Sequence, residues 1–493
     1  MKKSIQIYFI AIFFGLQFHH LDAQVVRGKV VDSKTGDAVP YVNIFLENYA
    51  KGTVTNAEGE FNFRLPENIS KTDTLAFSHV GYSRYRLSVR EAISKEKLMV
   101  TLQFGDQELM EALVTTLDPK KIMKKMQDNL TSNMYSDAYE VEIFGREYIQ
   151  DQNDYQGIAR ARGFLHVEPF DLKQSKKNAN SYHFLAFDHV QKSDYGIINN
   201  RTGRIRSSQF LVSYSNMIFE IWDFKLSWFD FELLGQKIID DRKVYIIKSI
   251  TRGSGISNKG SRWLLSHYGL LEDATFYIDQ EDYGVHMMEL GQKYTGNIET
   301  NKYILHQWKR DERNAIVKFR RNDAGYYFFS YANQSQRYTS LGYKTEKNPG
   351  TREVYEFGEV YAMDYEFVDL TNEALAIKYK APVFGEKPMR RIRYPVPSLN
   401  GWMFLMGDPR YNQDFWKTYE YPPMAKENEI EKALSKNKSL EEQYKSFSND
   451  QRYLLPIIRR KYNLEGVDYW SVERVQNQFQ QSAATLNKYG YFK

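Results

Sequence analysis

Between Val25 and Leu102 the chain is a succession of short runs in which apolar and polar residues alternate, each closed by a turn signal, and no other feature narrows the fold so far. Val25 to Asp32, Pro40 to Ile44, Gly52 to Asn56, Glu58 to Phe61 and Asp73 to Phe77 follow this plan. A period of two places successive side chains on opposite faces, so each run suits a strand buried on one side. Thr35-Gly36, Glu58-Gly59 and Gly81-Tyr82 supply turns. Runs this short cannot bury an apolar face singly. Together they predict a small antiparallel sandwich with Val42, Ile44, Phe61, Phe63, Leu75 and Phe77 inside.

The residues before it read as a secretory leader over 1–23: Lys2 and Lys3, an apolar run from Ile5 to Phe18, then Leu21-Asp22-Ala23 before Gln24. With 0 Cys, neither a disulfide nor a lipobox cysteine is available, and an exported chain of this kind must be held by core packing. No later stretch is apolar over the ~18 residues a helical span needs. Lys+Arg 67 against Asp+Glu 62 leaves +5 on 493 residues, too small a surplus for a nucleic-acid footprint. Aromatics reach 15%, which suits packed strands or a binding groove.

The sandwich is predicted over residues 24–104, followed by a connector and helix over 105–136. Asp118 is the N-cap of that helix, Pro119 its first residue, and Ile122, Met123, Met126 and Leu130 share one face. From 137 to 425 strand follows strand: Tyr139, Val141 and Ile143 alternate with Glu140 and Glu142, and hairpin turns fall at 280–284 and 322–325. So much strand predicts one large antiparallel sheet, curved into a half-barrel. Residues 382–423 read mostly as loop, and 426–493 as helical, with helices at 427–434, 440–447 (capping box Ser439 and Glu442) and 472–488.

The order of signals in the first domain resembles the carboxypeptidase regulatory-like domain, a seven-stranded transthyretin-like module that opens many exported proteins of the Bacteroidetes type. Phe231-Glu232-Leu233-Leu234-Gly235, Asp240 to Ile247, and Phe276 to Asp279 with Gly284-Val285 resemble LolA-like lipoprotein carriers. That resemblance implies a half-open sheet wrapped on a helix, with an apolar face for acyl chains. Proteins named for the regulatory-like domain often carry a Gly-aromatic-Tyr-Arg-Glu-like strand, similar here to Ile143-Phe144-Gly145-Arg146-Glu147. The resemblance implies architecture, an envelope location and association with nutrient-uptake complexes, and no activity.

Catalytic patterns are poor. His286 and Glu289 have the His-x-x-Glu spacing of zinc peptidases and His306 is a conceivable third ligand, but i and i+3 on a strand face opposite ways, and zinc is rejected. There is no Gly-x-Ser-x-Gly elbow and no phosphate-binding glycine loop. Asp240-Asp241 and Glu281-Asp282 fall at turns, where carboxylates are common. Trp222, Phe224 and Trp228 would share one face of a continuous strand and Phe229 and Phe231 the other, with Trp263 and Trp308 on later strands. They are either sheet core or an apolar groove. Tyr411, Phe415 and Trp416 predict an aromatic-pinned loop that covers a mouth of the sheet or serves as its lid.

The sequence therefore predicts a mainly β, exported protein of the periplasm or outer membrane: a transthyretin-like sandwich, a large curved antiparallel sheet with a packing helix, and a helical C-terminal region. The function expected is non-catalytic, with Trp222, Phe224, Trp228, Trp263 and Trp308 lining a groove for a lipid, glycan or envelope protein, peripheral membrane association allowed, and no cofactor, metal or nucleic acid. The alternatives are a hydrolase of glycans or peptides, and a small outer-membrane β-barrel.

Overall fold

A computed structural model of the chain describes residues 24–105 except 48 and 50, 117–135, 139–167, 183–193, 226–251, 274–293, 298–300, 306–343, 351–366, four short strands between 383 and 405, and 411–449. Residues 1–23, read from the sequence as a leader, together with Trp222, Phe224, Trp263 and the helix expected at 472–488, lie outside these residues.

Seven strands come first: β1 (Val25–Asp32), β2 (Asn43–Leu46), β3 (Gly52–Val54), β4 (Glu60–Arg64), β5 (Thr74–Ser78), β6 (Tyr85–Ser88) and β7 (Leu98–Leu102). They form two sheets, β4-β1-β7 and β3-β2-β5-β6. The alternation in the sequence becomes the packing: Val26, Val30, Phe61, Phe63, Val100 and Leu102 of one sheet meet Ile44, Leu46, Leu75 and Phe77 of the other. Gly28 lets its two neighbours within the sheet, β7 and β4, come close, because a Cβ there would lie 2.2 Å from the Leu98 carbonyl oxygen and 2.7 Å from the Phe61 ring. Helix α1 (Val89–Ile93), capped reciprocally by Ser88 and Glu91, leads into β7.

Helix α2 (Pro119–Asn133) opens on Asp118, whose carboxylate accepts from the Lys120 N–H. The strands that follow are β8 (Tyr139–Asp151), β9 (Asp154–Val167), β10 (His183–Lys192), β11 (Phe229–Ile239), β12 (Arg242–Thr251), β13 (Thr275–Asp279), β14 (Val285–Lys293), β15 (Ile298–Thr300), β16 (His306–Arg321), β17 (Tyr327–Tyr343) and β18 (Arg352–Glu366). Ten run antiparallel in the order β11-β12-β13-β14-β16-β17-β18-β8-β9-β10, while β15 pairs β16. The short β19 (Val383–Phe384) and β20 (Lys387–Pro388) pair with each other. Of the remaining two, β22 (Trp402–Leu405) adds parallel to β10 and β21 (Tyr394–Pro395) pairs with β22.

The order ends on β11 at one side and β21 at the other, so the sheet is not closed into a barrel, which corrects the outer-membrane barrel reading. Closure would require those two end strands to pair. Register slips at Leu233/Gly235, Lys318/Phe319 and Ala362/Asp364 mark bulges, which bend a sheet. Tight turns join neighbours where Gln152-Asn153 and Asp240-Asp241 take positive φ (51° and 74°, 54° and 60°), as two-residue hairpins require. Among the described residues no helix is long and apolar enough to cross a membrane.

Both faces of this sheet are covered. On the inner face α2 joins one core cluster with Val141, Ile143, Ile149, Phe276, Ile278, Met288, Val317 and Val360, and it lies closest to β11 and the 3-10 turn (Leu226–Trp228) before it. The outer face carries the sandwich and a C-terminal segment with helices α3 (Gln413–Thr418), α4 (Glu427–Leu434) and α5 (Leu440–Asn449). The region read as loop thus contains a helix, α3, for which Asn412 is the N-cap, its side chain accepting from the Phe415 N–H at 3.1 Å.

Candidate functional site

The inner face is apolar and its occupant is α2. Ile122, Met123, Met126, Leu130 and the following Met134 are buried in the core they share with the sheet, and Met288 of β14 belongs to the same core. Methionine is unbranched and repacks easily around partners of different shape. Polar ties sit at the helix margin: Lys125 Nζ donates to the Tyr283 hydroxyl at 2.9 Å, and Asn133 Nδ2 donates to the Asp282 carbonyl at 3.0 Å.

The turn that receives these ties belongs to a buried polar cluster. Arg242 spans both carboxylate oxygens of Asp279 and reaches Asp282 at 3.3 Å. His286 Nε2 lies 3.0 Å from Asp279 Oδ2, while Tyr327 donates to Asp282 at 2.9 Å and Arg321 Nε donates to it at 2.8 Å. Burial alone would raise the Asp279 carboxyl, but the hydrogen bonds from His286 and Arg242 outweigh it and hold it far below the usual carboxylate range. Gly284 is needed here, since a Cβ would lie 2.0 Å from the Tyr327 ring.

This cluster fastens hairpins. Among the described residues, with Nε2–H donating to Asp279, the buried Nδ1 of His286 has no partner, and the Tyr327 hydroxyl also lies 3.3 Å from its Nε2. Among the described residues no serine, threonine or lysine nucleophile is hydrogen-bonded to it. Glu289 points to the opposite face and accepts from the Tyr277 hydroxyl at 3.1 Å. Among the described residues no group of three metal-ligating side chains converges. His306 opens β16 with its backbone opposite Tyr343.

Of the groove residues proposed from sequence, Trp228 closes a 3-10 turn (Leu226–Trp228) ahead of β11, so it does not extend a strand with its neighbours. Phe229 and Phe231 do pack on the inner-face core. Trp308 lies in β16 opposite Ser340 and Glu299, with three strands between it and β11. Trp222, Phe224 and Trp263 are outside the described residues.

Tyr411, Phe415 and Trp416 are on the outer face. Trp416 is buried in a cluster with Phe144, Tyr331 and Tyr361, Phe415 stacks on His189, and Tyr411 packs on Tyr444. Beside them Arg146, fully buried, pairs with Glu359 and donates to the Pro422 and Pro423 carbonyls. Burial opposes its charge, yet Glu359, Tyr361 and Glu427 raise its pKa beyond the ordinary guanidinium value. Arg160 likewise holds Glu427 and Glu431 of α4.

The sandwich docks next to this segment. Tyr41 stacks on Tyr331 with centroids 5.1 Å apart, Arg84 pairs with Asp240 at 2.9 Å, and Lys318 donates to the Tyr41 carbonyl. Arg27 bonds Glu420 at 2.7 Å, and Asn56 donates to the Pro423 carbonyl at 3.0 Å. A cleft of about 110 Å³ remains between Lys51, Thr53, Arg64, Glu142, Asp364 and Tyr419. Arg146, Arg160 and Lys318 were missed by sequence reading because a charge at an outward position of a strand looks solvated. The one signal was Arg146 within Ile143 to Glu147, the strand already noted for its pattern.

Residues 26–114 match the family model of the CarboxypepD_reg-like domain. Comparison with curated proteins returns no match. Among solved structures the chain is similar to a DUF1329 family protein from Desulfovibrio piger, at 11% identity and a TM-score of 0.23, over 52% of this chain and 96% of that one. It is also similar to a LolA superfamily protein from Nitrosomonas europaea, at 9% identity and a TM-score of 0.19, over 52% and 97%. A domain from Vibrio parahaemolyticus named for outer membrane lipoprotein sorting stands at 11% identity and a TM-score of 0.22, over 52% and 95%.

Proposed function

We propose that the protein is an exported, non-catalytic binding protein of the cell envelope that holds an apolar ligand between α2 and the inner face of its open sheet. The observation that carries this reading is the occupant of that face: an amphipathic helix whose buried side is rich in methionine, resting in a sheet that is not closed into a barrel. Five buried side chains of α2 and its end contribute roughly 8–15 kcal/mol as an upper bound, at about 1.5–3 kcal/mol each. An acyl chain of ~16 carbons, at about 0.8 kcal/mol per buried CH₂, offers the same order of burial. Such a ligand can therefore replace part of the helix contact without a net loss of buried apolar area. Trp222, Trp228, Trp263 and Trp308, expected from the sequence to line such a groove, are the residues to change first.

Native mass spectrometry of the protein purified from its own envelope, followed by organic extraction, tests this. A stoichiometric lipid that is lost in Met126→Glu, with the outer-face contacts intact by circular dichroism, is the expected result. No co-purifying apolar molecule, together with no saturable binding of a fluorescent fatty acid by the extracted protein, would overturn it.

A further inference from the structure

Helix α2 carries its charge where the fold does not want it. Lys120, Lys121, Lys124 and Lys125 all lie in the N-terminal half, the first turn has no acidic residue and the last turn no basic one. Backbone N–H groups make the N-terminal end of a helix positive, so these lysines oppose the macrodipole. They also stand four apart in two like-charged pairs, 120 with 124 and 121 with 125, which repel on a helix surface. The apolar face of α2 is already committed to the sheet, so the lysines gain nothing from the core. All four are exposed. Lys124 pairs with Asp128 and Lys125 bonds Tyr283, while Lys120 and Lys121 have no ion-pair partner among the described residues.

We propose that this exposed face of α2 is the surface with which the protein docks on an anionic phospholipid membrane. Charge complementarity identifies the partner. The chain as a whole is near balance, 67 basic against 62 acidic residues, yet four cations fall within six positions. Ammonium groups on flexible stems respond to a potential and need no fixed counterpart, which suits a field of lipid phosphates. Asp128, Thr131 and Ser132 complete the exposed side, and no aromatic or arginine anchor of the kind that centres a protein interface is among them. The proposal needs only the outer side of α2 and holds whether or not a ligand enters on its inner side.

Co-sedimentation of the full-length mature protein with vesicles tests it, using phosphatidylcholine alone or with about 30% phosphatidylglycerol, at ~50 mM and ~500 mM salt. The expected result is binding to the anionic vesicles at low salt, lost at high salt and reduced at least tenfold in Lys120→Gln/Lys121→Gln/Lys124→Gln. That variant should melt no lower than the parent, since it relieves the repulsion, so lost binding cannot be ascribed to unfolding. A control with Lys417, Lys432 and Lys436 changed to Gln removes the same charge elsewhere and should bind as the parent does. Equal binding by the α2 variant, equal loss in the control, or capture of an acidic protein with no binding to vesicles would each overturn the proposal.

Discussion

Lys318 shows what one buried side chain does to the whole. Its ammonium is enclosed between β16 and the sandwich with the Tyr41 carbonyl as acceptor, and burial pushes its pKa down to about 7 from 10.5. Between those values the folded protein binds fewer protons than the unfolded chain, so stability rises with pH across that window. The penalty is greatest below about pH 7, where the buried amine is charged. Lys318→Met is expected to flatten the pH 7–10 slope and to add about 1–3 kcal/mol at pH 7. Urea unfolding at several pH values measures both, and an unchanged slope would show that the amine is not what titrates. At Gly284 the contact with the Tyr327 ring leaves no room for a methyl group, so Gly284→Ala should cost about 1–3 kcal/mol, readable as a lowered melting temperature.

At the scale of elements, charge decides where the C-terminal segment goes. Arg146 and Arg160 stand on the outer side of β8 and β9, and their partners are Glu359 on β18 and Glu427 and Glu431 on α4. Removing one member of a buried pair leaves an uncompensated charge, so Glu359→Gln is expected to destabilise by about 3–5 kcal/mol. Limited proteolysis should then cut within 411–424. Replacing both partners, Arg146→Met with Glu359→Met, should recover part of that loss, and a double variant as weak as the single one would refute the coupling. The sandwich strands, the capped start of α2 at Asp118, the hairpins at 280–284 and 322–325, and α4 were legible in the sequence, since period-two alternation, caps and turn residues are local signals. The outer-face partners were not: Arg146 and Glu359 are 213 residues apart, and nothing local distinguishes a paired arginine from a solvated one. Trp228 shows the opposite failure, because an aromatic run continuous in sequence is broken by a 3-10 turn.

For the whole molecule the consequence is cooperativity. The sandwich, the sheet and the C-terminal segment share one outer-face cluster that includes Tyr41, Val54, Phe144, Tyr331, Tyr361 and Trp416. Calorimetry of the full chain is therefore expected to show one transition, whereas two well-separated peaks would mean that the sandwich is an independent spacer. Deleting residues 24–104 should expose Tyr331 and Tyr361 and lower solubility, measured as dye binding and aggregation. By itself the sequence determined the sandwich, the helix that follows it and the abundance of antiparallel strand, because these rest on alternation, capping and turns within a few residues of each other. Only the tertiary structure decided that the sheet stays open, that α2 fills one face while sandwich and C-terminal segment cover the other, and that arginines and a lysine are buried between them. Those outcomes depend on strand order and on charges meeting across hundreds of residues, where chain proximity carries no information.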